Sequence, residues 1–64
     1  MSEQEAAALC ETVERAPGWM AERWQGVNGH WYLVVAREDD PLTHFVLRSR
    51  RDWERLRELL DDDS

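Results

Sequence analysis

The sequence predicts an α+β domain of order α-β-β-β-α, a three-stranded antiparallel meander with two helices packed on one of its faces. Three observations carry this. His30 to Arg37, HWYLVVAR, is an unbroken run of aromatic and β-branched residues with apolar side chains at odd and even positions alike, as a central strand needs. Both ends of the chain show apolar residues at helical spacing behind capping residues. Between these segments lie short stretches of turn chemistry.

The first helix spans Glu3 to Arg15. Ser2 and Glu5 stand at capping-box spacing, and Ala6, Leu9, Cys10 and Val13 form the apolar stripe. Glu11 and Arg15 stand at i, i+4 on the outer side, in the favourable order for a surface ion pair. Pro17 and Gly18 end the helix. Trp19 to Gln25, WMAERWQ, fits helix or strand locally. The following Gly26-Val27-Asn28-Gly29 decides for a strand, because Asn-Gly between strand-like segments is a hairpin signal. The central strand follows, then a loop over Glu38-Asp39-Asp40-Pro41-Leu42-Thr43, then a third strand from His44 to Arg48. Ser49 is placed to cap the second helix, with Asp52 at the third position of a capping box and Trp53, Leu56, Leu59 and Leu60 as its stripe from Arg50 to Leu60.

A two-residue turn at Asn28-Gly29 sets Gln25 against Tyr32, Arg23 against Val34 and Ala21 against Ala36. A second turn centred on Asp40-Pro41 sets Val34 against Leu47 and Ala36 against Phe45. These registers gather Trp19, Ala21, Tyr32, Val34, Ala36, Phe45 and Leu47 on the face the helices cover. The other face then carries Met20, Glu22, Trp24, Trp31, Leu33, Val35, Arg37, His44, Val46 and Arg48. Aromatic anchors and arginines at an apolar centre are the composition of a protein interface. The candidate partner-binding residues are therefore Glu22, Trp24, Trp31, Leu33, Val35, Arg37, Val46 and Arg48. A slip of one residue in the first hairpin would turn them into core.

With 64 residues the chain makes a single domain over residues 1–60, followed by an acidic tail at 61–64 expected to be disordered. So small a chain must use nearly every large apolar side chain in its core, and its four tryptophans help. A lone Cys10 excludes an internal disulfide, and with two separated histidines offers no zinc spacing, so no metal or cofactor is expected. The acidic start lacks the basic and apolar regions of a signal peptide, and no apolar run spans a bilayer, which points to a cytoplasmic protein with no membrane partner. The run Glu38-Asp39-Asp40 lacks the alternating ligands and glycine of a calcium loop. There is no phosphate-binding glycine loop and no Ser or Cys triad, so an enzyme is not expected.

The net charge is −6, and all eight basic residues are arginine. Residues 30–60 are balanced, with six acids against six arginines. The excess lies on the first helix and in Asp61 to Asp63. These features predict a non-enzymatic module that docks on a larger protein as an inhibitor or regulatory subunit, in the manner of phage-encoded inhibitors, or that forms a homodimer through its open sheet face. A partner with a basic surface, such as a nucleic-acid-handling enzyme, would meet complementary charge.

Double-stranded-RNA-binding domains share the α-β-β-β-α order and grip phosphates with a basic start of the last helix. Here Arg48, Arg50, Arg51, Arg55 and Arg57 surround that helix start, with Trp24 or Trp31 available to stack on bases. The similarity stops at element order. The lysine-rich helix start is missing, Asp52 and Glu54 interrupt the arginines, and the negative net charge opposes approach to a polyanion. Nucleic acid is the alternative partner.

Overall fold

A computed structural model describes residues 1–61, of which Asp61 is described in its backbone alone. Helix α1 spans Glu3–Arg15, strand β1 Trp19–Gln25, β2 Trp31–Arg37, β3 Asp40–Leu47 and helix α2 Arg50–Asp61. The strands form one antiparallel sheet in the order β1-β2-β3. The expected architecture is present, with both helices on one face of the meander. The predicted tail, beyond the backbone of Asp61, lies outside the described residues.

The caps form as their residue types dictate. Ser2 Oγ accepts from the Glu5 N–H at 3.2 Å and the Glu5 carboxylate accepts from the Ser2 N–H at 3.4 Å, closing the box on α1. At α2 the Asp52 N–H donates to Ser49 Oγ at 3.3 Å, while the Asp52 carboxylate reaches back to the Arg48 N–H at 2.9 Å. That second bond falls one residue earlier than in a reciprocal box.

The core lies between helices and sheet. Ala6, Leu9 and Val13 of α1 and Trp53 and Leu56 of α2 meet Leu33 and Val35 of β2 and Leu47 of β3, all buried. Trp19 closes it at one corner, packed against Phe45 and Trp53, with the Arg37 guanidinium 5.4 Å from its ring centroid.

Two expected registers are corrected. In the first hairpin Gly26 and His30 flank a three-residue loop: the Gly26 N–H donates to the His30 carbonyl at 2.9 Å, the Gly29 N–H to the Gly26 carbonyl at 3.0 Å, and Asn28 Oδ1 accepts from the His30 N–H at 3.2 Å. Gly29 takes φ of +85°, and among the described residues only glycines have positive φ. Asn28 therefore cannot serve the two-residue turn, which needs positive φ at both centres, and the glycine makes the left-handed step of a longer loop. The loop gains one residue and the pairing moves with it: Trp24 opposes Tyr32, Glu22 opposes Val34 and Met20 opposes Ala36.

In the second hairpin the turn is at Glu38-Asp39, not Asp40-Pro41, with Arg37 opposite Asp40. An irregularity in β3 over Pro41 to Thr43 then brings Ala36 opposite His44, Val34 opposite Val46 and Leu33 opposite Leu47. β3 accordingly begins at Asp40, earlier than expected. Since side chains alternate with a period of two, each one-residue shift reverses the central strand relative to its neighbour. Leu33 and Val35 face the helices and are fully buried; Tyr32, Val34 and Ala36 face the other way. The expected sidedness of β1 and β3 is unchanged.

Candidate functional site

The open face of the sheet is built from alternate residues of three strands: Met20, Glu22 and Trp24 of β1, Tyr32, Val34 and Ala36 of β2, and His44 and Val46 of β3. No helix covers it. Trp24 is 50 % exposed, Val46 53 % and Met20 40 %. Tyr32 and Val34 are partly buried between them. Among the described residues the ionisable side chains of this face are Glu22, His44 and the Tyr32 phenol, although a third of the whole sequence is Asp, Glu, Lys or Arg.

Two details shape this face. Trp24 Nε1 donates to the Glu22 carboxylate at 3.2 Å. The indole's polar atom is thereby satisfied within the strand, which leaves its rings as an apolar projection. At the opposite end the short side chain of Ala36 leaves a depression of about 150 Å³ bordered by Met20, Val34, Pro41 and His44. A projecting ring and a shallow socket on one charge-poor surface are features of contact residues at interfaces.

Of the eight residues expected to bind a partner, Glu22, Trp24 and Val46 lie on this face. Trp31, Leu33, Val35 and Arg37 do not, and Arg48 lies just past the end of β3. Leu33 and Val35 are core, and Trp31 packs partly buried against the core cluster. Arg37 lies over Trp19 and pairs with Asp39 at 3.5 Å. Arg48 follows β3 and is exposed. It borders a larger groove at the end of the sheet with His30, Trp31, Tyr32 and the 26–28 loop. Tyr32, Val34 and Ala36 are the residues the sequence reading misplaced. The signal for them was Gly26 before Val-Asn-Gly, which permits the longer loop as readily as Asn-Gly permits the shorter one.

Cys10 sits at the margin of α1, its Sγ 3.4 Å from a Glu14 carboxylate oxygen and 3.9 Å from the Ala21 carbonyl oxygen. Burial, followed by the Glu14 hydrogen bond and charge, raises its pKa against a smaller opposing effect of Arg23. That is the reverse of what an activated thiol needs. Among the described residues no polar or charged side chain is buried, no group of His, Cys, Asp and Glu is placed to hold a metal, and no helix is long and apolar enough to cross a membrane.

No protein-family model, no curated protein and no solved structure matches this chain.

Proposed function

We propose that this protein is a non-catalytic binding module that docks on a larger protein through the open sheet face, acting as an inhibitor or regulatory subunit. The observation that carries the reading is the exposure of Met20, Trp24 and Val46 around Tyr32 and Val34 on a nearly uncharged surface. Three strands at a spacing of about 4.8 Å and seven residues at about 3.3 Å make a flat footprint of roughly 14 by 23 Å, the core of a small interface. The partner supplies an apolar side chain for the depression beside Ala36 and polar groups for Glu22 and His44.

The acidic residues of α1 are on the other layer, behind the sheet. They contribute through long-range field: a net charge of −6 speeds association with a basic protein and makes that rate fall with salt. Capture from the source cell with wild-type and Trp24→Ser baits, each verified as folded, tests the reading. Partners retained by the wild type and lost by Trp24→Ser support it; an identical set from both baits contradicts it.

A second reading, nucleic-acid binding, has its support in the exposed Arg48, Arg50, Arg51 and Arg55 around the start of α2. A gel shift at low salt that disappears with Arg50→Ser and Arg51→Ser would establish it.

A further inference from the structure

β1 is an edge strand, and the outward Ala21 N–H and both outward backbone groups of Arg23 and Gln25 have no hydrogen-bond partner among the described residues. The bonds from the Gly26 N–H to the His30 carbonyl and from the Glu38 N–H to the Gly18 carbonyl show that even-numbered residues of β1 and its flanks bond to β2. By the alternation of an antiparallel ladder, the N–H and C=O of Ala21, Arg23 and Gln25 point away from the sheet. Trp19 also points outward, but its N–H already donates to the Ala16 carbonyl at 3.3 Å. The Cys10 contact at 3.9 Å leaves the Ala21 oxygen with acceptor capacity.

The two edges differ. The outer side of β3 is broken by Pro41 and by the irregularity that precedes His44, devices that block strand addition. β1 has no proline, no glycine and no bulge. An unbroken edge, carrying the adjacent opposite charges of Glu22 and Arg23, on one side of a sheet and a broken one on the other allow pairing to close at two copies.

We infer that a second copy of this chain pairs its β1 antiparallel to this edge, centred on Ala21, to make a continuous six-stranded sheet. Centres at Ala21, Glu22 and Arg23 pair five or more residues of β1, and charge chooses among these three. A register centred on Glu22 sets that carboxylate against its own copy, and one centred on Arg23 does the same with the guanidinium; like charges directly opposite are destabilising. Centred on Ala21, Met20 opposes Glu22 and Trp19 opposes Arg23, with no like pair. Ala21 then exchanges both its backbone bonds with Ala21 of the other copy, and each Arg23 N–H donates to the opposite Trp19 carbonyl. The side of α1 nearest this edge, marked by the Cys10 contact with the Ala21 oxygen, carries the small, half-buried Ala7 and Cys10 together with the exposed Glu3 and Glu14. Because both copies are acidic, salt strengthens the pairing.

This inference is independent of the docking face, which the pairing leaves open and doubles in width. Sedimentation of the full chain up to about 200 μM, a range that reveals even weak dimers, should show a dimer whose share grows between low salt and about 0.5 M NaCl. Ala21→Pro removes an N–H that the ladder with β2 does not use, so the variant keeps the wild-type far-UV spectrum and sediments as a monomer. Val34→Ser, on the open face, leaves the dimer intact. The wild type supplies a further readout: opposed residues of a hydrogen-bonded pair stand about 5.5 Å apart and each Cys10 Sγ lies 3.9 Å from its own Ala21 oxygen, which puts the two thiols within about 14 Å. A bis-maleimide of that span should link them into a covalent dimer. A wild type that stays monomeric in salt and is not cross-linked overturns the inference, whether or not Ala21→Pro folds. A dimer lost with Val34→Ser and kept with Ala21→Pro overturns it too.

Discussion

Trp19 and Trp53 meet edge to face, their ring centroids 5.3 Å apart and their planes at 87°. The contact ties the first residue of β1 to the buried stripe of α2 across the width of the sheet, so an edge strand and a terminal helix share one anchor. Trp53→Ala removes it along with most of the apolar surface that α2 buries. A buried Trp to Ala change costs about 3 to 5 kcal/mol, comparable with the whole stability of a domain this small. The variant is expected to lose its cooperative urea transition at room temperature.

The reversal of β2 makes a sharper test. Leu33 and Val34 are neighbours, yet one is fully buried and the other lies on the open face. Leu33→Ala should lower stability by about 2 to 5 kcal/mol, whereas Val34→Thr should change it by less than about 1 kcal/mol. Denaturant titration of the two variants distinguishes them; equal losses would mean that the open face is covered.

The contrast shows where the sequence was legible. Helical periodicity, Ser2 with Glu5, and the Pro17-Gly18 stop placed α1 where it lies, and the alternation within WMAERWQ and HFVLR placed Met20, Trp24 and Val46 outward. β2 could not be oriented from its own residues, because HWYLVVAR is apolar on both sides and either face would serve as core. Its orientation rests on loop length alone. In the first hairpin that length is set by whether Asn28 adopts positive φ, a choice of small energy between two hairpin loops that the same four residues allow. Reversal of this one strand is why Trp31, Leu33, Val35 and Arg37 left the site and Tyr32, Val34 and Ala36 entered it.

The α1 cap offers a smaller effect of known sign. Ser2→Ala removes the acceptor for the Glu5 N–H and should cost about 1 kcal/mol, a fall in Tm of about 4 to 8 °C for a domain of this size. Thermal unfolding by circular dichroism measures it.

Cys10 carries the pH prediction. Burial and Glu14 favour its neutral thiol, so maleimide should react more slowly at neutral pH than with a free thiol, and Glu14→Gln should accelerate it. The folded pKa is raised, so the thiol contributes stability that is present below the unfolded thiol's pKa and lost as pH rises through the folded one. Cys10→Ser should therefore flatten the alkaline limb of the stability profile.

In the proposed docking mode the surface around Trp24 and Val34, and not the arginines of α2, meets the protein's partner. Quantitative capture from the source cell with three folded baits tests it most directly: wild type, Trp24→Ser and Arg51→Ser. Proteins recovered by the wild type should be lost with Trp24→Ser and retained with Arg51→Ser. Recovery that survives Trp24→Ser and fails with Arg51→Ser would contradict it.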